Sequence, residues 1–421
     1  MTKTKGSDKR FAVGLISGTS MDGVDAALVV IRGSAELPRV KLLAFYTQPY
    51  PAWLQRRLLA IAGGASTTAA ELSRLNTLLG GLFGDAAARV CGEARFRTSR
   101  LDVVGSHGQT VFHFGGLPSS IVEAGSWSVD TALVPELQAV RDDEPPPNVE
   151  YLGKPSTLQI ADPAVIAEMI GAPVVADFRA ADTAAGGEGA PLVPMVDYLV
   201  LRDSREGRVA LNIGGIANVT VIPPAGKPEQ VFGFDTGPGN MVMDSLIRGN
   251  TEGRKSFDAD GRVAAMGEVL PPVLKEAMAH PFFSRRPPKS AGREQFGAEF
   301  IRKYFLQRRR GNFQDLLRTA LELTARTIAN AIEKFVAPRA KVHRLIVSGG
   351  GAHNLVLLRR IAELLPQMVV ETSDRYGLPV DAKEAIAFAL LADRTMHGLP
   401  GNLPAVTGAR RAVVLGKISK P

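Results

Sequence analysis

Phe11-Ala-Val-Gly-Leu-Ile-Ser-Gly-Thr-Ser-Met-Asp-Gly-Val-Asp-Ala-Ala-Leu-Val-Val-Ile31 is an apolar run, a turn of glycine and small polar residues, and a second apolar run. That pattern predicts a β-hairpin. Its turn offers backbone N–H groups and hydroxyls with no side-chain bulk in front of them, which suits phosphate oxygens. A side chain at Gly18 or Gly23 would obstruct that approach or force a residue into φ > 0. The design returns at Val209-Ala-Leu-Asn-Ile-Gly-Gly-Ile-Ala-Asn-Val-Thr-Val-Ile222. Two such turns in one chain suggest two similar lobes closing on one nucleotide.

The 421 residues are enough for two domains, and 45% apolar with 22% charged residues is ordinary for a soluble globular chain. The single cysteine, Cys91, has no partner for an internal disulfide, so a reducing compartment fits. Lys3, Lys5, Lys9 and Arg10 before an apolar stretch mimic a signal peptide. That stretch runs straight into Thr19, Ser20 and Asp22 and reads as a first strand instead. No run approaches the ~18 apolar residues of a membrane span. The expectation is a cytoplasmic protein without a membrane partner. The net charge of +8 is dispersed apart from Arg285-Arg286 and Arg308-Arg309-Arg310, and aromatics are 6%. Nucleic acid is therefore not the expected partner, whereas small anions such as ATP suit the bias.

Helical periodicity marks Ala69 to Val90, with Leu72, Leu75, Leu78, Leu79 and Phe83 as its stripe, and Leu317 to Phe335. Leu101 to Val104 reads as a short strand ending at Gly105-Ser-His-Gly-Gln-Thr110, and Val174-Val175 as another that reaches Asp177. Arg179 to Gly189 reads as a polar, glycine-rich segment, and 114–156 as a projecting loop. Phe234-Asp-Thr-Gly-Pro-Gly-Asn240 precedes a helix near Met241, where N–H groups and the dipole attract anions. Leu345-Ile-Val347 is a parallel-type strand feeding Ser348-Gly-Gly-Gly-Ala-His-Asn354, and Ala382 to Met396 a final helix with Asp381 as its N-cap. Strands alternating with helices predict an α/β architecture with two similar lobes.

The Walker A, GxGxxG, GxSxG and zinc-helix patterns are all incomplete in this chain. The candidate phosphate contacts are Gly18, Thr19, Ser20, Met21, Asp22, Gly23 and Asp25 in the first turn, with Asp22 also the candidate Mg²⁺ ligand. Gly214, Gly215 and Asn218 follow in the second turn, then Asp235, Gly237, Gly239 and Asn240, with Gly349, Gly350 and Asn354 for the adenosine end. On residue chemistry alone Asp182 is either a cap or solvated charge or a general base. His107 and Gln109 either line a sugar pocket or are satisfied structural groups.

Taken together, these residues resemble the anhydro-N-acetylmuramic acid kinase family. The match rests on Gly18-Thr-Ser-Met-Asp-Gly23 with Asp25, His107-Gly-Gln-Thr110, Asp177-Phe-Arg179 with Asp182, and Gly189-Ala-Pro-Leu192. It continues through Asn212-Ile-Gly-Gly-Ile-Ala-Asn218, Phe234 to Asn240, Pro287-Pro-Lys-Ser290 with Gly292-Arg-Glu294, and Asp381-Ala-Lys-Glu-Ala385. The resemblance implies the two-lobed actin-like ATPase fold, ribonuclease H-like in each lobe, with an interlobe nucleotide cleft. One lobe would span 10–200 plus 384–415 and hold the sugar side, the first phosphate loop and the 114–156 insert. The other would span 205–383. The resemblance further implies ATP and Mg²⁺ as cofactors, a homodimer, and a place in peptidoglycan recycling. Asp182 takes the position of the family's catalytic base, and His107, Gln109, Thr110 and Glu384 are the substrate-side residues. The implied reaction opens a 1,6-anhydro sugar with water while O6 takes the γ-phosphoryl group. The rivals are a levoglucosan kinase and an actin- or chaperone-like ATP-driven switch. Three features depart from the family pattern. Glu188 stands where glutamine is usual, Ala161 stands where glycine is usual, and the 114–156 insert is long.

Overall fold

The computed structural model describes residues 9–115, 154–307 and 311–421. Most of the 114–156 insert and the Arg308–Arg310 cluster lie outside these residues. The chain divides into two compact units, Met1–Val30, Leu43–Leu192 and Phe388–Pro421 in the first, Ile31–Leu42 and Val193–Ala387 in the second.

The sheet of the first unit is built on β1 (Lys9–Ser17), β2 (Gly23–Arg32), β3 (Arg39–Pro49), β4 (Val103–Phe114), β5 (Ser156–Ile160) and β6 (Val174–Ala176). The second unit uses β7 (Arg208–Ile213), β8 (Ile216–Ile222), β9 (Phe232–Pro238), β10 (Arg344–Ser348) and β11 (Val369–Thr372). A last strand, β12 (Lys417–Ser419), joins the first sheet. The first sheet runs β3-β2-β1-β4-β6-β12, with β5 also on β4, and the second runs β9-β8-β7-β10-β11. Each sheet therefore lays its third, second, first and fourth strands side by side, then adds a later crossover strand. In both, the first strand is parallel to the fourth and the fourth to the next. This is the ribonuclease H-like strand order, present twice, as in the actin-like ATPases.

The reason lies in the strand sequences. From Val24 to Ile31, β2 is apolar almost without interruption and buried apart from Asp25, as expected of a strand covered on both faces. Two helices, α1 (Ala52–Ala62) and α2 (Ala69–Glu93), contribute Leu54, Leu58, Leu79, Phe83 and Val90 to the first core. Thr68 caps α2 by accepting from the Glu71 N–H at 3.1 Å. The stripe on α2 is narrower than its periodicity predicts, because Leu78 is 39% exposed. Next come α3 (Pro163–Ile170) and α4 (Phe178–Ala184), and then α5 (Val193–Leu201), which already belongs to the second unit.

In the second unit, α6 (Met241–Asn250) and α7 (Pro271–Met278) precede α8 (Phe313–Ala331), the predicted amphipathic helix. It starts earlier than its apolar face suggests, because Asn312 and Asp315 form a reciprocal cap. Then come α9 (Leu355–Leu364) and α10 (Lys383–Met396), the latter passing from the second unit into the first.

The structure corrects two sequence expectations and adds an element to a third segment. The strand through Val103 does not end before Gly105-Ser-His-Gly-Gln-Thr110 but carries those residues to Phe114. The side chains of His107, Gln109 and Thr110 have neighbours to bond, so their polarity does not stop the ladder. The polar, glycine-rich segment Arg179 to Gly189, for which the sequence pattern predicts no element, begins inside α4, which occupies Phe178–Ala184. Finally, α10 is not the last helical segment; a short turn, Pro404–Thr407, follows it.

Candidate functional site

Asp182 lies on α4 with its carboxylate wholly buried. Oδ1 accepts from Asn402 Nδ2 at 2.6 Å and Thr407 Oγ1 at 2.7 Å, and Oδ2 accepts from the Gly189 N–H at 2.9 Å. A glycine-rich strap covers it. A Cβ at Gly187 would sit 2.2 Å from Oδ2, so a side chain there would displace the carboxylate. The strap is tied onward, because Arg179 Nη1 donates to the Gly189 carbonyl at 2.9 Å and Arg179 Nε to His107 Nε2 at 3.0 Å. His107 Nδ1 therefore carries the proton and donates to the Gly108 carbonyl at 3.0 Å. Burial first, and the Arg179 charge second, push the His107 pKa down to about 3, so the ring is neutral. Its face lies 4.6 Å from Phe388. Glu188 keeps contact with solvent, yet partial desolvation, and after it the charge of Asp182, raises its pKa.

Gln109 is buried under the first turn. Its Oε1 accepts from Ser17 Oγ at 2.6 Å and its Nε2 donates to the Thr110 carbonyl at 3.2 Å. Thr110 Oγ1 accepts from Gln159 Nε2 at 3.2 Å. The polar atoms of both His107 and Gln109 are thus bonded within the protein. Ala161 adopts φ 153°, a conformation glycine takes without strain, which gives the usual glycine a physical reason.

The turn between β1 and β2 closes with the Met21 N–H on the Gly18 carbonyl at 3.2 Å. The positive φ belongs to Met21, at 50°, and not to Gly18 or Gly23. Asp22 is exposed; Ser20 Oγ donates to its Oδ1 at 2.9 Å, and the Tyr50 N–H donates to its carbonyl at 2.8 Å. Thr19 is exposed beside it, and Asp25 Oδ1 accepts from Thr47 Oγ1 at 2.6 Å.

In the second unit three predicted loops come together. The Gly214-Gly215 turn accepts, on its carbonyls, the N–H groups of Gly239 and Asn240 at 2.8 Å and of Met241 at 3.2 Å. The donors at the start of α6, expected to face an anion, therefore brace the turn instead. The third loop docks on the same place: a Cβ at Gly349 would lie 2.6 Å from Asn212 Oδ1 and one at Gly351 2.3 Å from Ile213. Asn212 pairs with Ser348 on one side and Asn218 on the other, and Asn218 with Asp235. A polar row thus crosses four strands. Asp235 Oδ2 accepts from the Ala291 N–H at 2.8 Å. Asn354, expected at the adenosine end, caps α9 by accepting from the Leu357 N–H at 2.9 Å. Glu384 is exposed in the first turn of α10, and Asp381 bonds His353 Nε2 at 2.7 Å.

The glycines sort into two kinds. At Gly23, Gly239 and Gly349 a Cβ would strike backbone of the protein itself, and at Gly237 it would strike Phe283 at 2.8 Å. At Gly18 it would meet nothing within 4 Å, and at Gly214, Gly215 and Gly350 only contacts of 3.5 Å or more. The second kind leaves open faces on the two predicted phosphate turns, at Gly18 and at Gly214 and Gly215, and on the loop predicted for the adenosine end, at Gly350.

The model of the anhydro-N-acetylmuramic acid kinase family matches residues 10–123 and 147–421. The chain belongs to that family. Anhydro-N-acetylmuramic acid kinase from Caldanaerobacter subterraneus subsp. tengcongensis is 40% identical over 416 residues, 98% of this chain and 97% of the relative. The Gloeobacter violaceus relative of the same name is 43% identical over 411 residues, 98% and 99% of the two chains. A looser likeness is to xylulose kinase from Rhodospirillum rubrum, at 13% identity and TM-score 0.43 over 98% of this chain and 94% of that one.

Sequence reasoning passed over Asn402 and Thr407, the two side chains that grip Asp182. They lie far along the chain in Gly401-Asn-Leu-Pro404 and Val406-Thr-Gly408, and carry no local pattern to betray them. Arg179 was visible as part of Asp177-Phe-Arg179, but its link to His107 was not.

Proposed function

We propose that the chain phosphorylates 1,6-anhydro-N-acetylmuramic acid at O6 with ATP while water opens the anhydro bridge, giving N-acetylmuramic acid 6-phosphate and ADP in peptidoglycan recycling. The observation that carries this is the strap-covered Asp182 carboxylate in a chain that matches the family over nearly its whole length. The bridge oxygen has no proton to lose, so the base must act on water. Asp182 takes a proton from water as the water oxygen bonds C1. The C1–O6 bond breaks, O6 bonds the γ-phosphorus, and the bond from phosphorus to the β,γ-bridging oxygen breaks to release ADP. In the present arrangement no solvent reaches Asp182. The strap, with φ of 88° at Gly186 and 73° at Gly189, is the part that has to yield.

ATP supplies the phosphoryl group; the open faces at Gly18, Gly214 and Gly215 would hold its phosphates, and the one at Gly350 its adenosine end. Asp22 would hold Mg²⁺. Among the described residues no group of three or more acidic, histidine or cysteine side chains could hold a metal. The ion would thus take most of its oxygens from nucleotide and water. His107, Gln109 and Thr110 support this site from behind, and Glu384 is proposed to meet the sugar. The enzyme is proposed to work in the cytoplasm as a homodimer.

The test is product identity. Purified protein is given ATP, Mg²⁺ and a panel of 1,6-anhydro sugars, anhydroglucose included, in heavy-oxygen water. The expected product is a 6-phosphate with the label at the C1 hydroxyl and none in the phosphate. ATP turnover without a phosphorylated sugar would overturn the reading. For the nucleotide, Gly18→Val fits the free protein, since nothing lies within 4 Å of the new Cβ. It is expected to weaken ATP binding at least ~10-fold, about 1.4 kcal/mol, by calorimetry.

A further inference from the structure

The second unit holds a cavity of about 220 Å³ behind the β9–α6 loop, and the proposed reaction does not use it. Thr236 of β9, Phe283, Lys289, and Thr327, Asn330 and Lys334 of the α8 region line it. Thr324 Oγ1, one helical turn before Thr327, donates to the Gly239 carbonyl at 2.8 Å. From there α8 runs on toward the start of β10, whereas the Gly349 loop leaves the end of β10. The cavity thus lies behind the phosphate loops and not among them.

Its distinguishing feature is Lys289. The side chain is 4% exposed, and among the described residues no carboxylate pairs with it, although the Asp235 charge is near enough to act on it. Nζ donates to the Phe282 carbonyl at 3.2 Å and sits 4.6 Å from the Phe282 ring centre and 4.9 Å from that of Phe335. Ring faces attract a cation but accept no full hydrogen bond. One carbonyl thus serves an ammonium that carries three donors. The two hydroxyls nearby donate to other groups, Thr236 to the Ala217 carbonyl at 3.1 Å and Thr327 to the Thr324 carbonyl at 3.0 Å, and neither bonds Nζ. Lys334 brings a second positive charge to the exposed rim, beside Asn330. Burial first, with Arg285 and Lys334 adding repulsion that the Asp235 charge offsets only in part, lowers the Lys289 pKa to about 8. At ~30 Å³ per water the volume holds about seven waters, room for an oxyanion of a few heavy atoms but not for a nucleotide.

We propose that this cavity is a binding site for a small oxyanion, phosphate or a short carboxylate, with Lys289 as its buried anchor and Lys334 at its mouth. The ligand would supply the acceptors Lys289 lacks, in a place from which β9 and α8 both reach the Gly239 turn.

The test is calorimetric titration of the full chain with inorganic phosphate and, separately, with acetate. A non-hydrolysable ATP analogue is kept saturating so that phosphate sites on the nucleotide loops are filled. Binding of either anion at one site, weakened at least ~10-fold in Lys289→Met and several-fold in Lys334→Ala, supports the proposal. Phosphate binding alone assigns a phosphate site, and acetate binding as tight assigns a carboxylate site. Lys334 is exposed, so its variant is expected to fold even if Lys289→Met does not. No binding of either anion up to about 10 mM, or binding unchanged in both variants, overturns it.

Discussion

Asp182 in the first unit and Lys289 in the second are both buried charges, held in opposite ways. Asp182 has both oxygens engaged, by an amide, a hydroxyl and a backbone N–H. Lys289 has one carbonyl and the faces of phenylalanine rings. A charge matched by fixed donors is positioned, and disturbing its partners moves it. A charge enclosed mainly by rings is under-solvated, and removing it relieves the fold. The two sites therefore differ in the sign of what a neutral substitute does to stability.

The largest effect is expected at Asp182→Asn. The amide must put its NH₂ either against the Asn402 amide or against the Gly189 N–H, both fixed donors, so the variant loses the base and gains a donor–donor contact. The turnover number is expected to fall ~10²–10⁴-fold, with a lower Tm. A folded variant with near-normal kcat on the preferred anhydro sugar would sink the assignment of Asp182 as base. Thr407→Val sharpens the point, because it removes one donor and leaves the charge. Its expected cost is about 1 kcal/mol of stability and a fall in kcat of ~10-fold or less, with ATP affinity unchanged.

The contrast also shows what a sequence can and cannot reveal. Local pattern carried the two hairpins, the α8 stripe and the Gly349 loop, since strand period, turn chemistry and helix period are written within a few residues of each other. Chemistry hidden in pairing was not legible. Nothing in Gly105-Ser-His-Gly-Gln-Thr110 says that His107 and Gln109 spend their polar atoms on Arg179 and Ser17. Nothing in Pro287-Pro-Lys-Ser290 says that Lys289 is buried among rings. Glycines were legible as a class but not by reason. Gly18 has open space in front of it and Gly239 has backbone, a difference set by loops distant in sequence.

His107 gives the next effect and a pH sign that can be worked through. Its folded pKa is about 3 and its ordinary value 6.5. Between those limits the unfolded chain binds a proton that the folded chain refuses, so stability falls as the pH drops below 6.5. At pH 5 the loss from this one group is about 2 kcal/mol. His107→Gln can still accept from Arg179 Nε and does not titrate. It is expected to be less stable than the parent at pH 7.5 but to lose less on acidification. Urea unfolding at pH 7.5 and 5 measures this, and parallel acid losses in parent and variant would refute the buried neutral ring.

Lys289→Met is expected to give the smallest and most discriminating change, because its sign is opposite to that at Asp182. Methionine fills the ring-lined space without a charge, so the variant is expected to be more stable than the parent by about 1–2 kcal/mol at pH 7. The folded pKa of Lys289 is about 8 against an ordinary 10.5. Between these values the unfolded chain holds a proton that the folded chain has released, so this group's contribution to stability rises with pH across that window. The penalty is in full force below pH 8 and fades toward 10.5, and the advantage of the methionine variant shrinks with it. Cys91 pulls the other way, since burial raises its thiol to about 11 from 9.0. It does so equally in both proteins and cancels in their difference. Chemical unfolding of parent and variant at pH 7 and pH 10 reads that difference. A variant less stable than the parent at pH 7, or a gap that stays constant with pH, would show that Lys289 is matched within the protein and leave the oxyanion cavity without its reason.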